Sequence, residues 1–347
     1  MHFLHTLWLG MPVWIWLAFI GAVLAILAFD LGVMHRDSHA IGVSESLRMS
    51  ALYIGLGLAW AGAVWWIYAH FGDAGALDPQ IAAAATPEER AWTAVKLYLT
   101  GYLVEKTLAM DNVFIISMIF TYFAVPREYQ HRVLFWGIAG VIVLRALMIG
   151  LGAALVMQFS WIMYVFGAVL LATGVKMLLM IDHAPDIAGN PVLRLLKKHL
   201  RVTGELHGQA FTVRRPDPRT GKVALFATPL LLCLILVEAA DLVFAIDSVP
   251  AIFAITPDPF IVYTSNIFAI LGLRALYFAL AAMIHRFKYL KYALALVLVF
   301  IGGKIFLVGL VGKAPAALSL GVTFGLIAGG VLVSLWKTRG QPAGEPA

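Results

Sequence analysis

Two stretches of this chain place acid inside runs that are apolar enough and long enough to cross a bilayer. Residues 97–122, LYLTGYLVEKTLAMDNVFIISMIFTY, hold Glu105, Asp111 and Asn112, and residues 225–254, LFATPLLLCLILVEAADLVFAIDSVPAIFA, hold Glu238, Asp241 and Asp247. A carboxylate near the centre of a membrane helix costs roughly 2.5–3.5 kcal/mol on insertion scales, so such residues turn away from lipid toward a polar cavity. The pattern reads as a cation site inside a membrane protein.

Composition agrees with a bilayer as solvent: 62% of residues are hydrophobic, 13% are charged, and mean hydropathy is +0.90. The net charge of +6 is spread over short loops, so it reads as membrane orientation and argues against nucleic-acid binding. Cys233 is the only cysteine, which excludes an internal disulfide and a thiolate metal cluster. The histidines fall in loops or at span ends, against a haem electron carrier. Neither HExxH nor GxSxG occurs, and no enzyme is expected.

Hydropathy with the ~20-residue requirement for a helical span divides the chain into nine segments, near 13–34, 47–70, 97–122, 133–156, 160–181, 225–254, 260–284, 290–311 and 316–336. The expected fold is therefore all-α and polytopic. Loops after the odd-numbered spans are basic and the others acidic or nearly uncharged, which places the N-terminus outside and the C-terminus in the cytoplasm. No basic n-region or Ser- and Arg-rich transit segment precedes the first span, so a bacterial inner membrane is expected. The long basic connection near 182–224 alternates weakly from Gln209 to Arg215, turns at Asp217 to Gly221 and resumes at Lys222, a small cytoplasmic β-hairpin. It reads as a solvated loop, with anionic lipid or a partner as the other reading.

The spans contain a repeat. Asp111, Asn112, Val113 and Phe114 match Asp241, Leu242, Val243 and Phe244; Leu144 to Leu147 match Leu273 to Leu276; and Gly174, Val175 and Lys176 match Gly302, Gly303 and Lys304, at nearly equal intervals. A three-span unit reverses direction when repeated, so this is an inverted 3+3 helix repeat, a recurrent transporter plan with its site at the midplane. The chain then divides into 1–96 (a two-helix region), 97–181 (the first repeat), 182–224 (the loop), 225–311 (the second repeat), and 312–347 (a last helix and tail). Asp111 and Asp241 become the paired central carboxylates.

On regular helices Glu105 and Asn112 share a face, as do Glu238 and Asp241, whereas Asp247 points nearly opposite Glu238. Pro250 is expected to kink the helix and bring Asp247 into the cavity. Lys106, Arg145, Lys176, Arg274 and Lys304 are candidate counter-ions or gate latches, and Asp30 is either an interface or a gate residue. Ser248 is explained by local helix bonding and Asn266 by bonding between helices, although both could ligate through oxygen. Oxygen donors favour hard ions, in the order Mn²⁺, Ca²⁺, Mg²⁺.

The segments EKTLAMDNVF (Glu105 to Phe114), TPLLLCLILVEAADLVFAIDSVPAIFAIT (Thr228 to Thr256), DPFIVYTSNIFAILGLRALYF (Asp258 to Phe278) and FIGGKIF (Phe300 to Phe306) resemble the TerC family of integral membrane proteins, named for tellurium resistance and similar to the LysE superfamily of exporters. The resemblance implies a nine-span protein and, for many relatives, manganese efflux. It implies Glu105, Asp111, Asn112, Glu238, Asp241 and Asp247 as metal-site residues. Other relatives are linked to metal loading of exported proteins or to alkaline stress. The expectation is an exporter of Mn²⁺, with protons as a candidate exchange ion. The alternative is a non-transporting scaffold that contacts secretion machinery, and homodimerisation stays open.

Overall fold

The computed structural model describes residues 2–29, 43–72, 77–159, 161–179, 186–217, 221–281, 289–311 and 315–338. A short hairpin, β1 (Leu7–Trp8) and β2 (Met11–Pro12), leads into α1 (Val13–Phe29) and α2 (Val43–Phe71). The one-turn α3 (Pro79–Ala82) is followed by α4 (Pro87–Tyr122), α5 (Arg127–Gln158) and α6 (Ile162–Leu179). Next come α7 (Pro191–His199) and the antiparallel pair β3 (Thr212–Pro216) and β4 (Val223–Ala227). The chain then forms α8 (Pro229–Ile255), α9 (Pro259–Leu271), α10 (Leu273–Ala281), α11 (Leu290–Val311) and α12 (Ala316–Lys337).

Proline sets several of these starts. Pro79, Pro87, Pro191, Pro229 and Pro259 each sit in the first helical turn, where a missing N–H leaves no helix bond unmade. Thr86 and Asp258 cap α4 and α9 by accepting from the backbone N–H groups of Glu89 and of Phe260 and Ile261.

Among the described residues six helices are long and apolar enough to cross a membrane: α2, α5, α6, α8, α11 and α12. The nine expected segments exceed this count for physical reasons. Helix α4 is long enough at 36 residues, but its acids and lysines dilute its apolar run. Over the described residues α1 and α9 are shorter, and the expected seventh span is divided at Gly272 into α9 and α10. The hairpin forms with Gly221 at positive φ in its turn, and α7, which was not anticipated, packs Leu193 into the core beneath α8. Asp30 and the tail beyond Thr338 lie outside the described residues.

Contacts fix the running sense of neighbouring helices. Gly101 of α4 lies against Ile252 of α8, while Asn112 of α4 bonds Asp241 of α8, so these two helices are antiparallel. Gly101 also meets Ser265 and Lys106 meets Ala269, which makes α4 and α9 parallel. Helices α5 and α8 are parallel too, with Gly140 beside Glu238 and Gly152 beside Phe253. Outward faces carry Val143, Leu147, Leu151, Val243 and Ile246, the apolar surface a bilayer accepts.

Helices α6 and α11 approach through glycine. A Cβ added at Gly302 would stand 2.9 Å from the Gly167 carbonyl and 3.0 Å from the Leu171 nitrogen, backbone atoms that cannot rotate away. In a membrane, where lipid is as apolar as leucine, such close packing carries helix association. Gly302→Val should therefore lower the thermal unfolding midpoint in detergent, at a cost of about 1–3 kcal/mol. Gly303, which has open space at the same test position, should tolerate Ala with little change. Equal effects at both would contradict this packing.

Candidate cation site

Buried residues of α5 recur every four positions: Val133, Gly137, Val141, Arg145, Ile149 and Ala153. This spacing winds slowly around the helix, and it puts a guanidinium on the face that packs against α8, from which it reaches across to α4. Arg145 is 1% exposed. Its Nε and Nη2 donate to Oδ2 and Oδ1 of Asp241, both at 3.1 Å, a forked bidentate pair. Nη1 donates to Glu105 Oε1 at 2.7 Å and also to Ser248 Oγ. Asn112 Nδ2 adds a weaker bond to Asp241 Oδ1 at 3.3 Å. Asp241 and Ser248 are seven residues apart on α8, so both reach the same guanidinium from one face.

This cluster unites three of the expected site residues, Glu105, Asn112 and Asp241, around one of the expected counter-ions. Its acceptors are not all used. Glu105 Oε2 and Asn112 Oδ1 are buried without a hydrogen-bond partner among the described residues. A cavity of about 30 Å³ opens beside Asn112 and Asp241, between Gly137, Val237 and Phe244. That is room for one or two water-sized occupants. Among the described residues no three His, Cys, Asp or Glu side chains stand together as a metal-holding group.

The remaining expected residues lie elsewhere or outside what is described. Asp111 belongs to α4 and Arg274 to α10, but their side chains lie outside the described residues. Glu238, one turn before Asp241, has neither oxygen partnered among the described residues, and it rests on the bare backbone of α5 at Gly140. Asp247 does not join the cluster. Helix α8 stays helical through Pro250, whose neighbours Val249, Ala251 and Ile252 are all buried and hold the axis, so the expected unwinding is absent. Asp247 instead accepts from Thr173 of α6 at 2.8 Å.

Lys106 donates to the Ala269 carbonyl at 3.1 Å, and Lys304 donates to Ser319 Oγ at 3.0 Å. Lys176 is exposed on α6. Asn266, expected to bond between helices, is fully buried with neither amide atom partnered among the described residues. Sequence reasoning did not single out Gly140. A Cβ there would stand 2.4–2.7 Å from the Glu238 carboxylate atoms, so a larger residue would push the end of that side chain aside. The available signal was a second glycine, Gly140, one turn after Gly137 of the stripe that carries Arg145.

Gly140→Ala should lower thermal stability, but by less than Gly302→Val does, because the Glu238 carboxylate it meets can swing aside. Adding Glu238→Ala should restore most of that loss, because the clash disappears with the carboxylate. Simple additivity in this double-mutant cycle would show that the two residues do not touch.

Comparison with known proteins gives the setting for this geometry. The family described as "Integral membrane protein TerC family" matches residues 90–342. The Escherichia coli K12 protein named "Putative membrane-bound redox modulator Alx" is 45% identical over 328 residues, covering 94% of this chain and 95% of the relative. A Myxococcus xanthus protein named "Uncharacterized membrane protein STKORF319" is 42% identical over 331 residues, covering 95% of each. A Rickettsia bellii membrane protein is 43% identical over 320 residues, covering 92% of this chain and 96% of the relative. No solved structure matches the chain.

Proposed function

Because the chain belongs to the TerC family of integral membrane proteins, we propose that it is a carrier exporting a divalent cation, Mn²⁺ first among hard ions, by alternating access through the carboxylates of α4 and α8. The observation that carries this reading is the convergence of Glu105 and Asp241 on one buried cation. They come from two antiparallel helices, Glu105 keeps a spare oxygen among the described residues, and a small, largely apolar cavity borders Asp241 and Asn112. Carboxylate and amide oxygens suit Mn²⁺, Ca²⁺ or Mg²⁺ better than softer metals.

The inverted repeat supports the alternating part. If α4, α5 and α6 correspond to α8, the α9–α10 pair and α11, then the parallel pairs α4 with α9 and α8 with α5 are reciprocal. Gly174 and Gly302, matched in the sequence repeat, both stand at the contact of α6 with α11. Two equivalent halves that exchange conformations open the site first to one side and then to the other. In this reading the protein lies in a bacterial inner membrane with its N-terminus outside, and α7 and the β-hairpin face the cytoplasm.

A scaffold without transport is the second reading, and one observation favours it: Arg145 already pairs with both Asp241 and Glu105 without any ion. Against it, buried ion pairs stabilise a fold less than apolar packing of the same volume. The redox description attached to the Alx relatives meets one thiol here, Cys233, buried in α8; a dithiol–disulfide couple within the chain needs two.

Mn²⁺ flux into proteoliposomes, with and without a pH gradient, tests the reading. The parent should move Mn²⁺, Asp241→Asn should slow it at least tenfold, and replacement of residues 205–224 should leave the flux nearly unchanged. A flux that responds to the pH gradient supports proton exchange. Parent-like flux in Asp241→Asn would overturn the transport site, and a parent that moves no Mn²⁺ would leave the scaffold.

A further inference from the structure

Among the described residues Arg145 is the one cationic side chain that is fully buried, and its donors hold three of the four carboxylate oxygens of Asp241 and Glu105. Asp241 receives two bonds from Arg145 and one from Asn112, and Glu105 receives its short bond through Oε1. A divalent ion takes oxygen at direct coordination distance. On Asp241 it competes with three donor bonds for the lone pairs, and its charge repels Arg145 at that range. Ion and guanidinium are therefore alternatives on the same carboxylates.

The displaced guanidinium needs another acceptor, because a buried unpaired arginine is strongly unfavourable. Glu238 lies three residues from Asp241 on the same face of α8, about 4.5 Å along the axis at the α-helical rise. Its carboxylate is buried and both oxygens are unpartnered among the described residues. It rests against α5 at Gly140, five residues before Arg145 on that same helix. To reach it, the guanidinium has to swing along α8 by about that rise, toward the start of α5.

We propose, building on the transport reading, that Arg145 is a tethered counter-cation that competes with the transported ion: it holds Asp241 and Glu105 when the site is empty and moves to Glu238 when the ion binds. Its return to Asp241 expels the ion, so Arg145 sets affinity and release without touching the cargo. Glu238 is then a parking acceptor rather than a ligand. Gly140 keeps that acceptor within reach.

The experiment is equilibrium Mn²⁺ binding to the purified full-length protein in detergent, read by electron paramagnetic resonance of the free ion. Arg145→Ala should bind Mn²⁺ at least tenfold more tightly than the parent, and millimolar guanidinium should weaken that binding where sodium at equal ionic strength does not. Glu238→Gln should weaken the parent about tenfold yet leave the Arg145→Ala background unchanged. Where Arg145→Ala does not fold by circular dichroism and gel filtration, Arg145→Lys carries the test. Its single ammonium cannot span both carboxylates, and it should tighten binding about threefold.

Affinity in a folded Arg145 variant that is equal to or weaker than the parent's overturns the exchange. Equal weakening by Glu238→Gln in both backgrounds makes Glu238 a ligand and overturns the parking step. In both cases a parent that binds and moves Mn²⁺ leaves the transport reading standing. A parent that binds no Mn²⁺ overturns both.

Discussion

A guanidinium taken out of water between two carboxylates is the constraint on which the site depends. Removing one partner from such a buried group costs about 3–5 kcal/mol, because the charge left behind has no solvent. The fold answers that penalty with geometry: α5 supplies Arg145, α4 supplies Glu105, α8 supplies Asp241 and Ser248, and four donor contacts are made within one cluster. Three helices are thereby tied at one buried point. What remains unpartnered there among the described residues, Glu105 Oε2 and Asn112 Oδ1, is acceptor oxygen, and so are both oxygens of Glu238 one turn away. Unmet acceptors call for a cation or for water.

Close helix packing makes that arrangement feasible. Gly140 leaves room for the Glu238 carboxylate, and Gly152 leaves room for Phe253 on the same pair of helices. On the other side, Gly167, Gly174 and Gly302 let α6 and α11 meet nearly backbone to backbone. Where lipid gives no hydrophobic drive between helices, such fits and the polar contacts between them carry the assembly. The aromatic cluster of Trp16, Phe19, Phe260 and Phe268 fills the space between α1 and α9.

Much of this was legible in the residues. Acid inside apolar runs located α4 and α8, the hairpin followed from the Asp217 to Gly221 turn, and Glu105, Asn112 and Asp241 do meet. A regular helix also places Asp247 away from Glu238, and it is Thr173 of α6 that Asp247 finds. Other features were hidden because they depend on tertiary contact. Local sequence marks Pro250 as a site of unwinding, but α8 stays helical through it, among buried neighbours. Five basic residues looked alike as counter-ions, and only the packing of α5 makes Arg145 the hub. In the sequence repeat Asp241 and Arg145 correspond to Asp111 and Arg274, whose side chains lie outside the described residues.

The most direct measurement is an anomalous difference map from crystals of the full-length protein grown with Mn²⁺. The account predicts one buried peak between Glu105 and Asp241, with the Arg145 guanidinium no longer forked onto Asp241. A site without manganese density, or a manganese ion bound elsewhere while Arg145 keeps both bonds to Asp241, would contradict it.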